Sequence, residues 1–123
     1  MNYKEIESLK LALLSLSRKG CSIKIPSAGL NGKIIGVGFK PYWTGPMDSI
    51  IEKLEINYID ENGRVKTYHM NAITGYEVLS NDGRGYDSMK RASIDFRVYS
   101  ADKGSERSKD ETIKVDLYID ETN

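Results

Sequence analysis

Aromatic and cationic side chains carry whatever chemistry this chain can do. Tyr42, Trp43 and Thr44 stand between Pro41 and Gly45-Pro46, so the only tryptophan sits in a segment bounded by helix- and strand-breaking residues. An aromatic pair held on such a loop can stack on a flat ring, worth about 1–3 kcal/mol per nucleic-acid base. Trp43 can equally plug the end of a small core, since tryptophans are largely buried on average. Asp82-Gly83-Arg84-Gly85-Tyr86 is the second candidate. A glycine-flanked arginine meets a phosphate with its guanidinium and the adjacent amides, although a plain turn is the simpler reading. It matches neither G-x-x-x-x-G-K-[ST] nor G-x-G-x-x-G. Arg91, Arg97, Arg107 and Lys109 form a third, looser group, and Arg107 reaches an anion only if its loop folds over a site. A solvated charged loop is the ordinary alternative.

Other chemistry finds little to work with. Cys21 is the single cysteine, so no intramolecular disulfide is possible and a cytoplasmic setting is expected. It reads as a small apolar side chain rather than a nucleophile. His69 is the single histidine and has no sequence-adjacent partner for acid–base work. The carboxylates show neither glycosidase pairing nor metal-ligand spacing, so neither enzyme activity nor a cofactor is expected.

The positioning elements follow from periodicity. Asn2 with Glu5 three residues later predicts a helix start. Ile6, Leu9, Leu13 and Leu16 share one stripe, widened by Leu11 and Leu14, over a helix at about 3–19. That arc is wide enough to pack on a sheet and also to meet a second subunit. From Cys21 the period becomes two. Short strands are expected at Ser22–Ile25 and about Lys33–Phe39, the latter with Gly36 and Gly38 on one face. Bare backbone there permits curvature, or close approach by a ligand or another strand. Leu54, Ile56 and Tyr58 alternate before Asp60-Glu61-Asn62-Gly63, a hairpin turn with Asn-Gly supplying positive φ. A return strand at Arg64–Met70 is expected to break at Asn71-Ala72, with Ile73–Leu79 as a separate short segment. Ile94, Phe96 and Val98 pair with Ile113, Val115, Leu117 and Ile119 in a last hairpin, across a charged connection at 101–111. The fold class is mainly β (α+β): an N-terminal helix, then a curved antiparallel sheet or small barrel of about six strands, in one domain over 1–123.

The order of helix, glycine-bearing curved strand and meander over residues 3–79 resembles the Sm-like family of small barrels, in NGKIIGVGF and HMNAITGYEVL. The resemblance implies a curved sheet behind an N-terminal helix and a tendency to oligomerise. The residues with which such barrels hold RNA are absent, so it implies no ligand.

Charge sets the partners. Eighteen basic residues balance 18 acidic ones, which disfavours duplex DNA and leaves single-stranded RNA a distant possibility. Residues 1–40 and 84–109 are locally basic, while 47–63 and 110–123 are acidic. No apolar run reaches membrane-spanning length, and the N-terminus lacks a signal-peptide pattern. The expectation is a non-catalytic binding protein for a small anionic ligand, foremost a nucleotide or cyclic nucleotide signal. It is comparable in size and character to phage anti-defence sponges, and homo-oligomeric through its helix. Its ligand-binding residues would be Tyr42, Trp43, Thr44, Arg84, Tyr86, Arg91 and Arg107. The alternative is a protein-interaction module, such as an inhibitor of a host or defence protein, acting through the helix face or the acidic segments.

Overall fold

The computed structural model describes residues 2–43, 49–81, 91–101 and 108–119. Helix α1 spans Tyr3–Arg18, and the Asn2 side chain caps it by accepting the Glu5 N–H at 2.9 Å. Gly20, at φ 65°, ends it in the left-handed conformation that glycine adopts without strain. Ile6, Leu9, Ala12, Leu13 and Leu16 are buried. The buried stripe is narrower than the full apolar arc, because Leu11 is 56% exposed and Leu14 is half-buried.

Six strands follow: β1 (Ser22–Ile25), β2 (Leu30–Trp43), β3 (Ser49–Asp60), β4 (Val65–Asn81), β5 (Arg91–Ala101) and β6 (Ser108–Tyr118). Each pairs antiparallel with the next, and β6 pairs with β1, so the sheet closes into a barrel. Alternation sorts the side chains. Ile23, Ile25, Leu54, Ile56, Ile94, Phe96, Val115 and Leu117 point inward and are fully buried. With the apolar face of α1 they make one continuous core.

Closure needs sharp bends, and bulges supply them. Register shifts fall between Ile34 and Gly36, Lys40 and Pro41, Ile73 and Gly75, and Val78 and Ser80. β4 pairs with β3 up to Ile73 and with β5 from Ile73 onward. The expected break at Asn71-Ala72 is therefore a bend inside one continuous strand, marked by Ala72 at φ 53°. Hydrogen bonding to a neighbour on either side carries the strand through a residue pair that local propensity reads as an interruption. β2 likewise runs past Phe39 to Trp43, because pairing with β3 continues to Ser49. The 101–111 connection is also shorter than expected, with Ser108 already opposite Ala101.

The β3–β4 turn lies where the sequence places it. Gly63 takes the positive φ (78°), and Asn62 does not. Asp60 organises this turn: its carboxylate accepts the N–H groups of Asn62 and Arg64, each at 2.9 Å. The Arg64 amide first, and Lys66 at 3.2 Å as well, hold that carboxyl below its usual range. Gly32 serves another need. A Cβ there would stand 2.4 Å from the Ile59 carbonyl oxygen, so only glycine permits this approach of β2 to β3.

Alternating strand direction puts Ser22, Trp43, Ser49, Asn81, Arg91 and Tyr118 on one rim. Ile25, Leu30, Asp60, Val65, Ala101 and Ser108 form the other. α1 lies across the first mouth. Its C-terminal end is tied to β1, with the Cys21 N–H donating to Leu16. Its first turn is tied to β4, where the Tyr76 hydroxyl donates to the Glu5 carbonyl at 2.7 Å. β1 and β4 are opposite walls of a six-strand ring, and 16 residues of helix span about 24 Å. No described helix is long and apolar enough to cross a membrane.

Candidate binding surface

Phe96, Ile34, Ile56, Met70 and Leu9, Leu13 and Leu16 of α1 fill the barrel interior, so a bound molecule must use the outer wall or a rim. The candidate residues distribute over that outside. Tyr42 is 54% exposed, but on β2 rather than in a loop, opposite Ile50. Trp43 ends β2 opposite Ser49, and its side chain lies outside the described groups. Thr44, Arg84, Tyr86 and Arg107 lie outside the described residues. Arg91 opens β5 with its side chain exposed.

Topology keeps Tyr42 and Arg91 apart. β2 and β5 are three strands from one another around the ring, so the exposed Tyr42 and Arg91 occupy opposite walls. β5 ends at Ala101 on the rim across the barrel from Trp43 and Arg91. Among the described residues, Tyr42 and Arg91 belong to separate surfaces.

Arg91 has a different aromatic neighbour. It lies directly opposite Tyr118 on β6, and on the other flank of Tyr118 runs β1 with Ser22 and Lys24. The Lys24 ammonium stands 5.6 Å from the Tyr118 ring centroid, within cation–π range. An aromatic ring thus lies between an exposed arginine and an exposed lysine on the outer wall. Asp116, opposite Lys24 and Ser93, offsets part of that charge. Such a surface can seat a flat ring while a guanidinium takes a phosphate or carboxylate bidentately. Alternation along β6 puts Tyr118 on the outer face by sequence alone. Its position beside Arg91 and Lys24 needs the register of the closing strand.

The β2–β3–β4 wall is also polar. Glu55 holds Lys53 at 3.0 Å and approaches His69 Nδ1 at 3.7 Å. Lys53 chiefly, by hydrogen bond and charge, lowers the Glu55 carboxyl below its ordinary range, with a smaller contribution from His69. Lys40 pairs with Glu52 at 3.4 Å. A shallow groove of about 320 Å³ runs over Gly38, between Lys40, Lys53 and Glu55. Its lysines already have carboxylate partners, which weakens its claim on an anion. Cys21 is fully buried, and desolvation raises its thiol pKa against the smaller opposing pull of Lys19. Among the described residues, no group of three His, Cys, Asp or Glu side chains is placed to hold a metal ion.

Comparison with known proteins gives no match: neither a family profile, nor a curated protein, nor a solved structure aligns significantly with the chain.

Proposed function

We propose that this chain is a non-catalytic binding protein for a small anionic ligand, a nucleotide or cyclic nucleotide foremost, held on its outer wall. The observation that carries this reading is Tyr118 flanked by Arg91 and Lys24 across three paired strands. The base stacks over the outer wall at Tyr118, and Arg91 takes the phosphate. Sequestration of an intact signal, in the manner of an anti-defence sponge, is the biological form of this activity. The expected result is thermal stabilisation by a subset of linear or cyclic nucleotides, which would be recovered intact after denaturation. Arg91→Ala removes charge-assisted hydrogen bonds of about 1.5–3 kcal/mol and weakens binding about 10- to 100-fold. Tyr118→Ala acts in the same direction, and Lys40→Ala leaves affinity unchanged. A flat screen, or release of a cleaved nucleotide, overturns the proposal.

A second reading, a protein-interaction module, is supported by Tyr3 and Leu11 on α1, at 58% and 56% exposure. It predicts that Leu11→Asp abolishes partner capture while Arg91→Ala does not. RNA binding with a steep salt dependence would favour a single-stranded RNA module instead.

A further inference from the structure

The wall that carries Arg91 and Tyr118 changes sign a short way from the rim. Two residues along β6 from Tyr118 stands Asp116, paired with Ser93, which is two residues along β5 from Arg91. Strand alternation keeps all four on the outer face, with about 7 Å from one row to the next. A further row down, Asp95 of β5 lies between Glu77 of β4 and Lys114 of β6. The wall is therefore cationic and aromatic at the rim and carries carboxylates below it.

Those carboxylates are not used up by the fold. Lys24 is the direct register partner of Asp116, yet its ammonium leans toward the Tyr118 ring, 5.6 Å from the centroid. Among the described residues, no hydrogen bond or ion pair engages the Asp116 carboxylate. On the opposite wall Glu52, Glu55 and Asp60 each have a lysine. Asp116 is half-buried, so its charge is partly desolvated without compensation. Asp95 deepens the negative potential beside it, but its Oδ1 is shut off from solvent and has no hydrogen-bond partner. Direct contact with a ligand falls to Asp116. A carboxylate only accepts, so the matching group must present N–H or O–H donors.

We propose that the ligand is a guanine nucleotide and that Asp116 selects the base, an inference that rests on the nucleotide-binding reading above. Guanine carries two adjacent donors, the ring N1–H and the 2-amino group, on the edge away from its sugar. They match the two oxygens of one carboxylate bidentately. Adenine and cytosine set a ring nitrogen lone pair beside a single amino group. Uracil has one N–H between two carbonyls. Each of these turns at least one lone pair toward a carboxylate that cannot donate. The order along the wall, cation then aromatic ring then acceptor, is the order of phosphate, base and donor edge in a guanine nucleotide. With Arg91 on the phosphate, the base lies over Tyr118 and its donor edge points down the wall to Asp116.

Titration calorimetry of the whole chain with GMP, IMP, XMP and AMP, and with cyclic di-GMP against cyclic di-AMP, tests this. The guanine member of each pair is expected to bind about 10- to 100-fold more tightly than the adenine member. IMP keeps the N1–H but lacks the 2-amino group, and falls between GMP and AMP. XMP has a carbonyl in place of that amino group, and the wild type rejects it. Asp116→Asn offers one acceptor and one donor, so it loses GMP and gains XMP. A gain of binding cannot come from misfolding. Adenine nucleotides that bind as well as guanine ones, both weakened by Arg91→Ala, overturn the guanine assignment and leave the nucleotide reading standing. An Asp116→Asn variant with unchanged GMP-to-XMP preference overturns it too. Absence of binding by every nucleotide removes both.

Discussion

Cys21 shows how one residue's chemistry is set by its position. It sits where helix becomes strand, its N–H held by Leu16 and its thiol fully buried. Desolvation raises the thiol pKa, so less thiolate forms, and reagent cannot reach what does. A disulfide-exchange reagent at pH 8 is expected to label Cys21 only at the rate of global unfolding. Labelling within the mixing time would disprove its burial. Asp60 and Glu55 give the acid dependence. Both carboxyls lie below their ordinary values in the folded chain, so the stabilisation they confer is complete well above the unfolded values of about 4. It is lost as pH falls through the lower folded values. Asp60→Asn keeps an acceptor oxygen but has no charge to lose. Urea midpoints measured from pH 6 down to pH 2 should therefore fall less steeply in this variant than in the wild type. Tyr76→Phe removes the tie between β4 and the first turn of α1, at a cost of about 1 kcal/mol by chemical denaturation.

At the scale of elements, the decisive features are bends and close approaches. β4 serves two neighbours in succession, and the shifts at Ile73/Gly75 and Val78/Ser80 turn it from one to the other. Gly75 accommodates the Arg97 guanidinium, whose nitrogen lies 2.6 Å from where a Cβ would be. A flexible side chain can move aside, so Gly75→Ala should be mild. Gly32→Ala should not. There the obstructing atom is the Ile59 carbonyl oxygen, and the strands themselves must separate. Destabilisation of about 1–3 kcal/mol is expected, read as a lower urea midpoint at unchanged slope. Similar midpoints for Gly32→Ala and Gly36→Ala would contradict the packing at Gly32, because Gly36 has space for the methyl group.

For the whole molecule, α1 is part of the barrel's core rather than an appendage. Leu13 and Leu16 are fully buried in the same cluster as Phe96 and Ile56. Leu13→Ala should cost about 2–5 kcal/mol and shift one cooperative transition, with helix and sheet signals lost together. Separate transitions by far-ultraviolet dichroism and by tyrosine fluorescence would show that the helix packs independently. The up-and-down order keeps most pairings between sequence neighbours, but β1 with β6 joins residues nearly a chain length apart. That closure carries the largest loop entropy, so mutations that weaken it should slow folding if it forms early in the transition state.

The chain by itself determined what repeats locally. The capped helix ending near Gly20, the inward Ile–Leu–Phe alternation of the strands, and the turn at Asp60–Gly63 are all set by residues within a few positions of each other. It also showed Tyr42 and Arg91 as available aromatic and cationic groups. Where these stand relative to one another was decided only by the ring. Strand count and direction put them on opposite walls and brought Tyr118 and Lys24 to Arg91 instead. The continuity of β4 through Ala72 and of β2 past Pro41 was also decided there, because hydrogen bonds to a neighbouring strand outweigh local breaker signals. Register is a property of pairs of strands, and a single strand's alternation carries no record of its partner.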